Sequence, residues 1–236
     1  MANDYFQFKQ FTIHQQRCAM KVGTDGTLLG AWAQVPKNSA RILDIGTGTG
    51  LIALMMAQRF PDATVLGIDI DCEAVSQAKE NVAASPFASR MEILLQNVLD
   101  FECKEFFDAI VSNPPYFVDA LKCPDQHRTI ARHTISLTYE DLMKSAYRLL
   151  KPDGKFSLVI PSESRSILET EASMAGFFLS RVCQIRTTPR KHPKRQLIEF
   201  QKHSVVELYI EDGIIEEYPN KRSTWYQQLT QDFYIR

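Results

Sequence analysis

The chain has 236 residues, 44% of them hydrophobic and 23% charged, with a formal net charge of -1 at pH 7. That length suits one α/β domain and is short for two, and the apolar content is that of a chain able to bury a core, which excludes general disorder. No run of about 18 uncharged apolar residues occurs, and the opening Met-Ala-Asn-Asp-Tyr has neither the basic region nor the apolar run of a signal peptide, so a cytoplasmic protein is expected.

In chain order, the first 40 residues carry an aromatic, apolar stretch around Gln10 to Ile13 and a helix beginning near Thr24, and they read as an extension packed on the core. Strands and helices alternate from Arg41 onward. Arg41 to Ile45 predicts a strand, Leu51 to Phe60 a helix stopped by Pro61, Thr64 to Asp69 a second strand and Cys72 to Ala84 a second core helix. Met91 to Leu95 and Phe107 to Ser112 follow as strands, then a helix from Thr138 to Leu150 and a strand from Lys155 to Ile160. Such alternation implies right-handed βαβ units and a doubly wound, mostly parallel sheet with helices on both faces. In the last third, Phe177 to Arg186 and Gln196 to His203 have the β-branched character of a strand pair, Val205 to Ile210 suggests an edge strand, and Ser223 to Phe233 a short closing helix. The expected organisation is one domain, with an extension (1–40), a core (41–160) and C-terminal strands (161–236).

The five cysteines are scattered and form no Cys-x-x-Cys pair, so they read as reduced packing thiols, with no metal site expected. Between Arg181 and Lys202 the chain carries Arg181, Arg186, Arg190, Lys191, Lys194, Arg195 and Lys202 against the single acid Glu199. This run is either a surface for phosphates or a solvated loop.

Asp44-Ile-Gly-Thr-Gly-Thr-Gly50 lies between the first core strand and its helix, where glycines permit a tight turn and close approach of a ligand to the backbone. The Gly46-x-Gly48-x-Gly50 spacing is one residue shorter than that of a dinucleotide turn. Asp69, at the carboxyl end of the next strand, is placed to accept from ribose hydroxyls; the competing reading is that Asp69 or Asp71 caps a helix. Asn113-Pro-Pro-Tyr116 follows another strand at the same edge of the sheet. The consecutive prolines Pro114 and Pro115 stiffen the backbone and remove donors. The Asn113 side-chain oxygen and the Pro114 carbonyl can each accept one hydrogen bond from an amino group, and Tyr116 offers a stacking face.

Asp44 to Gly50, Asp69 and Asn113 to Tyr116 together resemble the class I methyltransferases that act on amino groups, over roughly Arg41 to Ile160. The segment from Phe8 to Trp32, together with Ala131-Arg132-His133 and Gln231 to Tyr234, resembles the bacterial tRNA1(Val) (adenine(37)-N(6))-methyltransferases. The resemblance implies a Rossmann-like, seven-stranded sheet and S-adenosyl-L-methionine as cofactor. It places Lys21, Thr24 and Asp25 near the methionine portion, Asp44, Gly46 and Gly48 in the turn beneath, and Asp69 at the ribose. After the third strand either Asn97 or Asp100 would accept from the cofactor's adenine. The implied reaction is methylation of the exocyclic amine of an adenine in a tRNA anticodon loop, with Asn113, Pro114, Pro115 and Tyr116 at the target base and Asn113 also among the cofactor-binding residues. Arg186, Arg190, Lys191, Lys194, Arg195, Arg132 and His133 are the candidates for RNA contact. Two other readings stand beside it: a protein glutamine methyltransferase of the release-factor type, whose amide would fit the same acceptors, and a catalytically silent RNA-binding module.

Overall fold

A computed structural model of the protein describes residues 3–18, 20–114 and 137–235. Pro115, Tyr116, Arg132 and His133 lie outside them.

The N-terminal segment forms a hairpin, β1 (Tyr5–Gln7) with β2 (Thr12–His14), followed by helix α1 (Thr24–Trp32). The core then runs β3 (Arg41–Ile45), α2 (Leu51–Arg59), β4 (Thr64–Asp69), α3 (Cys72–Ala83), β5 (Met91–Leu95) and β6 (Phe107–Ser112). After the undescribed segment come α4 (Tyr139–Leu149), β7 (Leu150–Pro161), α5 (Arg165–Ala175), β8 (Phe178–Arg186), β9 (Arg195–Gln201) and β10 (Tyr209–Ile214). A small ladder, β11 (Glu216–Tyr218) with β12 (Lys221–Arg222), precedes α6 (Thr224–Thr230). No helix of the described residues is long and apolar enough to cross a membrane.

Local chemistry explains the boundaries. Asp71 caps α3, its carboxylate accepting from the Glu73 and Ala74 amides, and Thr138 caps α4 by accepting from Asp141 N. Glu140 and Asp141 sit in the first turn of α4 and Arg148 in its last, each complementing the helix dipole. Helix α5 has no counterpart in the sequence reading; it ends at Gly176, which adopts φ 97° and returns its N–H to Ala172 and Ser173.

Among the described residues the sheet has eight strands, one more than expected, in the order β10-β8-β9-β7-β6-β3-β4-β5. Strands β5, β4, β3, β6 and β7 are mutually parallel, β9 is antiparallel to both neighbours, and β10 runs parallel to β8. The eighth strand begins four residues later than its apolar pattern suggests. The chain leaving β9 must first pass β8, a lateral distance of roughly 10 Å, and residues 202–208 are used as that crossing. Strand β7 also starts earlier than expected, at Leu150 opposite Phe107, with a register shift before Ala109 meets Lys155.

Alternating strand residues divide between two cores. Ile42, Val65, Ile93, Ala109, Val111 and Leu197 pack with α1, α2 and α3, whereas Leu43, Ile45, Leu66, Ile110, Leu158 and Ile198 pack with α4 and α5. The chain ends close on each other: Lys9 N donates to Phe233 O at 2.8 Å, and Phe8 stacks on Tyr234 with ring centroids 5.8 Å apart. The hairpin is thereby fixed to the body, and the segment after it can serve as a wall of the site.

Candidate active site

A cavity of about 850 Å³ opens at the carboxyl edge of the parallel strands. Its lining includes Lys21, Thr24, Asp25, Gly46, Gly48, Asp69, Asn97 and Asn113, which come from five separate parts of the sequence. The structure brings together every expected cofactor residue except Asp44. Asp44 is fully buried beneath the turn, where its Oδ2 accepts from Thr47 Oγ1 at 2.7 Å and from Ala53 N at 3.1 Å, and so fastens the glycine turn to α2. Burial pushes its carboxyl up to about 7 against these two hydrogen bonds.

The turn is held from three sides. Gly46 N and Thr47 N both donate to Ile68 O, Gly48 N donates to Asp69 Oδ2 at 2.8 Å, and Asn81 bridges Thr49 O to His14 O. Gly46 and Gly48 adopt φ of 71° and 55°, a region costly for residues with a Cβ, and a Cβ at either position would project into open space. These two positions therefore leave bare backbone toward a ligand. Asp69 is not a helix cap, since Asp71 holds that role. Its Oδ1 accepts from Asp71 N at 3.0 Å and its Oδ2 from Gly48 N, which leaves about two of the four lone-pair positions of a carboxylate for hydroxyls.

At the third strand the wall is built by Gln96, Asn97, Val98 and Leu99, while Asp100 is exposed and does not line the cavity. Asn97 Oδ1 accepts from Leu99 N at 3.0 Å, folding the chain so that Asn97 stays on the wall.

Ser112 Oγ donates to Ile45 O at 2.9 Å, pinning the end of β6 to β3 and aiming Asn113 at the cavity. The Asn113 carboxamide lies with Nδ2 at 3.9 Å from Met20 Sδ and with Oδ1 buried and without a hydrogen-bond partner among the described residues. A buried acceptor left unpaired costs free energy, so this oxygen is a ready receptor for an N–H group. Gly26 of α1 stands close by: a Cβ there would lie 3.2 Å from Leu51 Cδ2 and 3.9 Å from Asn113 Nδ2.

Besides Gln96, Val98 and Leu99, the residues that sequence reading missed include two from the strap between β2 and α1. Cys18 and Met20 line the cavity, and the strap is tied down by Val22 N to Gln15 Oε1 at 2.8 Å and by Arg17 on Ser76 and Glu80. No spacing in the sequence marks these contacts. Burial, with Asp71 and Asp69 nearby, raises the Cys18 thiol to about 11, so it remains protonated near neutral pH and is no nucleophile.

The basic residues divide. The β8–β9 connection, residues 187–194, lies at the same carboxyl edge, because Arg195 is paired with Pro161 at the end of β7. Arg190, Lys191 and Lys194 are exposed and have no ion-pair partner among the described residues. Arg186 is instead 3.2 Å from Asp212, and Arg195 Nε is 2.8 Å from Asp25 Oδ2. Arg181 pairs with Glu211 and lies over the Trp32 ring at 4.0 Å. Of the expected RNA contacts, Arg186 and Arg195 are thus ion-paired within the protein; the acids that pair with Arg181 and Arg186 come from β10, whose pairing with β8 the sequence pattern does not give.

A doubly wound sheet with a glycine turn, an acid at the next strand end and an Asn-Pro at a third defines a class I methyltransferase, and residues 24–180 match the family model described as Methyltransferase small domain. A protein of Agrobacterium tumefaciens described as a predicted O-methyltransferase aligns at TM-score 0.68 and 19% identity, covering 89% of this chain and 96% of that one. TrmN from Thermus thermophilus aligns at TM-score 0.51 and 24% identity, over 70% of this chain and 44% of that one; both likenesses bear on the fold alone. The chain is 50% identical over 237 residues to the tRNA1(Val) (adenine(37)-N6)-methyltransferase of Bacteroides thetaiotaomicron, covering 100% of this chain and 99% of the relative. It is 52% identical over 235 residues to the protein of that name from Phocaeicola vulgatus, again over 100% and 99%. The chain belongs to the tRNA1(Val) (adenine(37)-N6)-methyltransferase family.

The cofactor of this class is S-adenosylmethionine, and the cavity fits it. Bare backbone at Gly46 and Gly48 and spare acceptor capacity on Asp69 match a phosphate-free nucleoside better than a dinucleotide, which would call for further donors along a longer turn.

Proposed function

We propose that this protein methylates the exocyclic N6 of adenine 37 in the anticodon loop of tRNA1(Val). The observation that carries the reading is the buried, unpaired Oδ1 of Asn113 on the wall of a cavity whose other walls suit the methyl donor. The substrate choice rests on the full-length likeness to relatives that bear that name.

When bound, S-adenosylmethionine supplies an electrophilic methyl group. The task left to the chain is to hold a weakly nucleophilic amine against it. An adenine amine is a poor nucleophile because its lone pair is delocalised into the ring. Two acceptors, Asn113 Oδ1 and the Pro114 carbonyl, take its two hydrogens and favour a tetrahedral nitrogen, which exposes the lone pair. Tyr116, outside the described residues, is assigned to stack on the base from its place in the Asn-Pro-Pro-Tyr motif. No strong base is needed, since the methylated amine loses its proton to water. Positioning of this kind contributes several kcal/mol to such a transfer. Extruding a base from a loop costs less than from a duplex, which favours the anticodon loop as the substrate.

On the cofactor side we assign the ribose hydroxyls to Asp69, the methionine portion to Lys21, Thr24 and Asp25, and the adenine to Asn97, because Asn97 lines the cavity and Asp100 does not. Arg190, Lys191 and Lys194 are assigned to tRNA phosphates, and a protein that works on tRNA is expected in the cytoplasm. A glutamine side chain would satisfy the same Asn-Pro acceptors, so the direct test offers both substrates. Labelled methyl groups should pass to a tRNA1(Val) transcript; transfer to a release factor and none to the RNA would overturn the reading.

A further inference from the structure

We propose that Arg195 is a positioning residue that couples tRNA binding to cofactor binding, through its ion pair with Asp25. This inference rests on the assignment of the 187–194 turn to tRNA. Asp25 lines the cavity from the first turn of α1, and Arg195 ends the basic turn, 170 residues away in sequence. Their charged groups meet at 2.8 Å, with both side chains about a third exposed at most, 34% for Arg195 and 27% for Asp25.

The base of the turn is rigid. Lys194 N donates to Ile185 O and Ser162 N donates to Lys194 O, so the backbone leading into Arg195 is anchored to the ends of β7 and β8, while Arg195 Nη1 donates to the Lys194 carbonyl. The Arg195 side chain reaches the Asp25 carboxylate from the end of the turn that carries the exposed cations Arg190, Lys191 and Lys194.

While Arg195 holds Asp25, the carboxylate's charge is largely neutralised. The amino acid end of the cofactor presents an ammonium, for which a neutralised carboxylate is a poor partner and a nearby guanidinium a repulsive one. A phosphate seated on the turn offers Arg195 a second anion. Arg195 then shifts toward the phosphate and Asp25 regains its charge toward the cavity. The two ligands strengthen each other, and by linkage the factor is the same in both directions.

The test is calorimetric titration of S-adenosylhomocysteine, with and without a tRNA1(Val) transcript, into wild type, Arg195→Ala, Arg195→Lys and Asp25→Asn. For wild type the transcript should tighten the nucleoside about fivefold or more, the lower range of measured couplings. Arg195→Ala without RNA should bind the nucleoside about twofold to fivefold more tightly than wild type, the scale of one partly exposed charge, and the transcript should add nothing. Arg195→Lys, which keeps the charge and the least perturbed fold, should retain part of the coupling, and Asp25→Asn should abolish it. A transcript that binds wild type without changing nucleoside affinity overturns the inference and leaves the substrate assignment standing. Weaker nucleoside binding in a folded Arg195→Ala overturns it too, because the pair would then be scaffolding. A transcript that does not bind wild type at all overturns the substrate assignment and the coupling together.

Discussion

Around the glycine turn the cavity is backed by backbone hydrogen bonds, the buried carboxylate of Asp44 and the half-buried one of Asp69, whereas the 187–194 turn, at the same sheet edge but outside the cavity lining, carries exposed cations between flanking residues held by ion pairs. Asp44, Thr47, Ala53, Ile68, Gly48 and Asp69 lie within 26 residues of one another, and each interaction there fixes the next. On the other side Arg195 reaches Asp25 and Arg186 reaches Asp212, pairings that depend on the whole sheet being assembled. The first region is a rigid receptor whose geometry exists before any ligand arrives. The second is an adjustable electrostatic surface, whose affinity depends on salt and on what competes for its charges.

The largest effect should come from the wall between them. Asn113→Ala should lower methyl transfer by about tenfold to a hundredfold or more while nucleoside affinity stays nearly unchanged, the pattern of a group acting on the substrate side. Single-turnover rates and calorimetry on the same preparation check this; equal losses in both would move Asn113 to the rigid half. In that half, Asp69→Ala should weaken S-adenosylhomocysteine binding by about 1 to 3 kcal/mol, because the ribose hydroxyls, Gly48 N and Asp71 N all lose their acceptor. An unchanged calorimetric affinity would remove Asp69 from the binding site.

On the adjustable side, Arg190, Lys191 and Lys194 replaced together by Ala should flatten the slope of log affinity for tRNA against log salt, by roughly 0.7 to 0.9 for each phosphate no longer neutralised. Nucleoside affinity should be unaffected, since Arg195 and its pair with Asp25 are intact. A salt series that leaves the slope where it was would make the turn a solvated connection.

A further effect, on stability alone, concerns pH and Asp44. Its folded carboxyl titrates near 7, above the usual carboxylate range near 4, so between those values the unfolded chain has released a proton that the folded chain keeps. Stability therefore falls as pH rises through that window, by at most about 1.4 kcal/mol per pH unit. Asp44→Asn should flatten this part of a denaturant-midpoint profile; an unchanged profile would mean that Asp44 is not the group responsible.

The same contrast governs what the sequence discloses. Strands β3, β4 and β6 are apolar runs bounded by glycine, proline or polar residues, and their limits are legible because burial on both faces demands that composition. Gly46, Gly48, Asp69 and Asn113 are legible for a related reason, since each sits at a strand end that the pattern locates. The burial of Asp44 away from the cavity is not, because a side chain's facing depends on which strands flank it. Nor are Met20 beside Asn113, the crossing that delays β10, or the Arg195 pair, all of which arise from long-range assembly. Composition shows a cationic run in the C-terminal third but not which of its cations are already paired.

The central claim is that the amine held at Asn113 is N6 of adenine 37. Nuclease mapping and nucleoside mass spectrometry of a tRNA1(Val) transcript, after incubation with the protein and methyl-labelled S-adenosylmethionine, test it directly. The account predicts one labelled N6-methyladenosine, in the anticodon-loop fragment at position 37, and none with Asn113→Ala. Label on another nucleoside or position, or RNA left unlabelled by a folded, cofactor-binding protein, would contradict it.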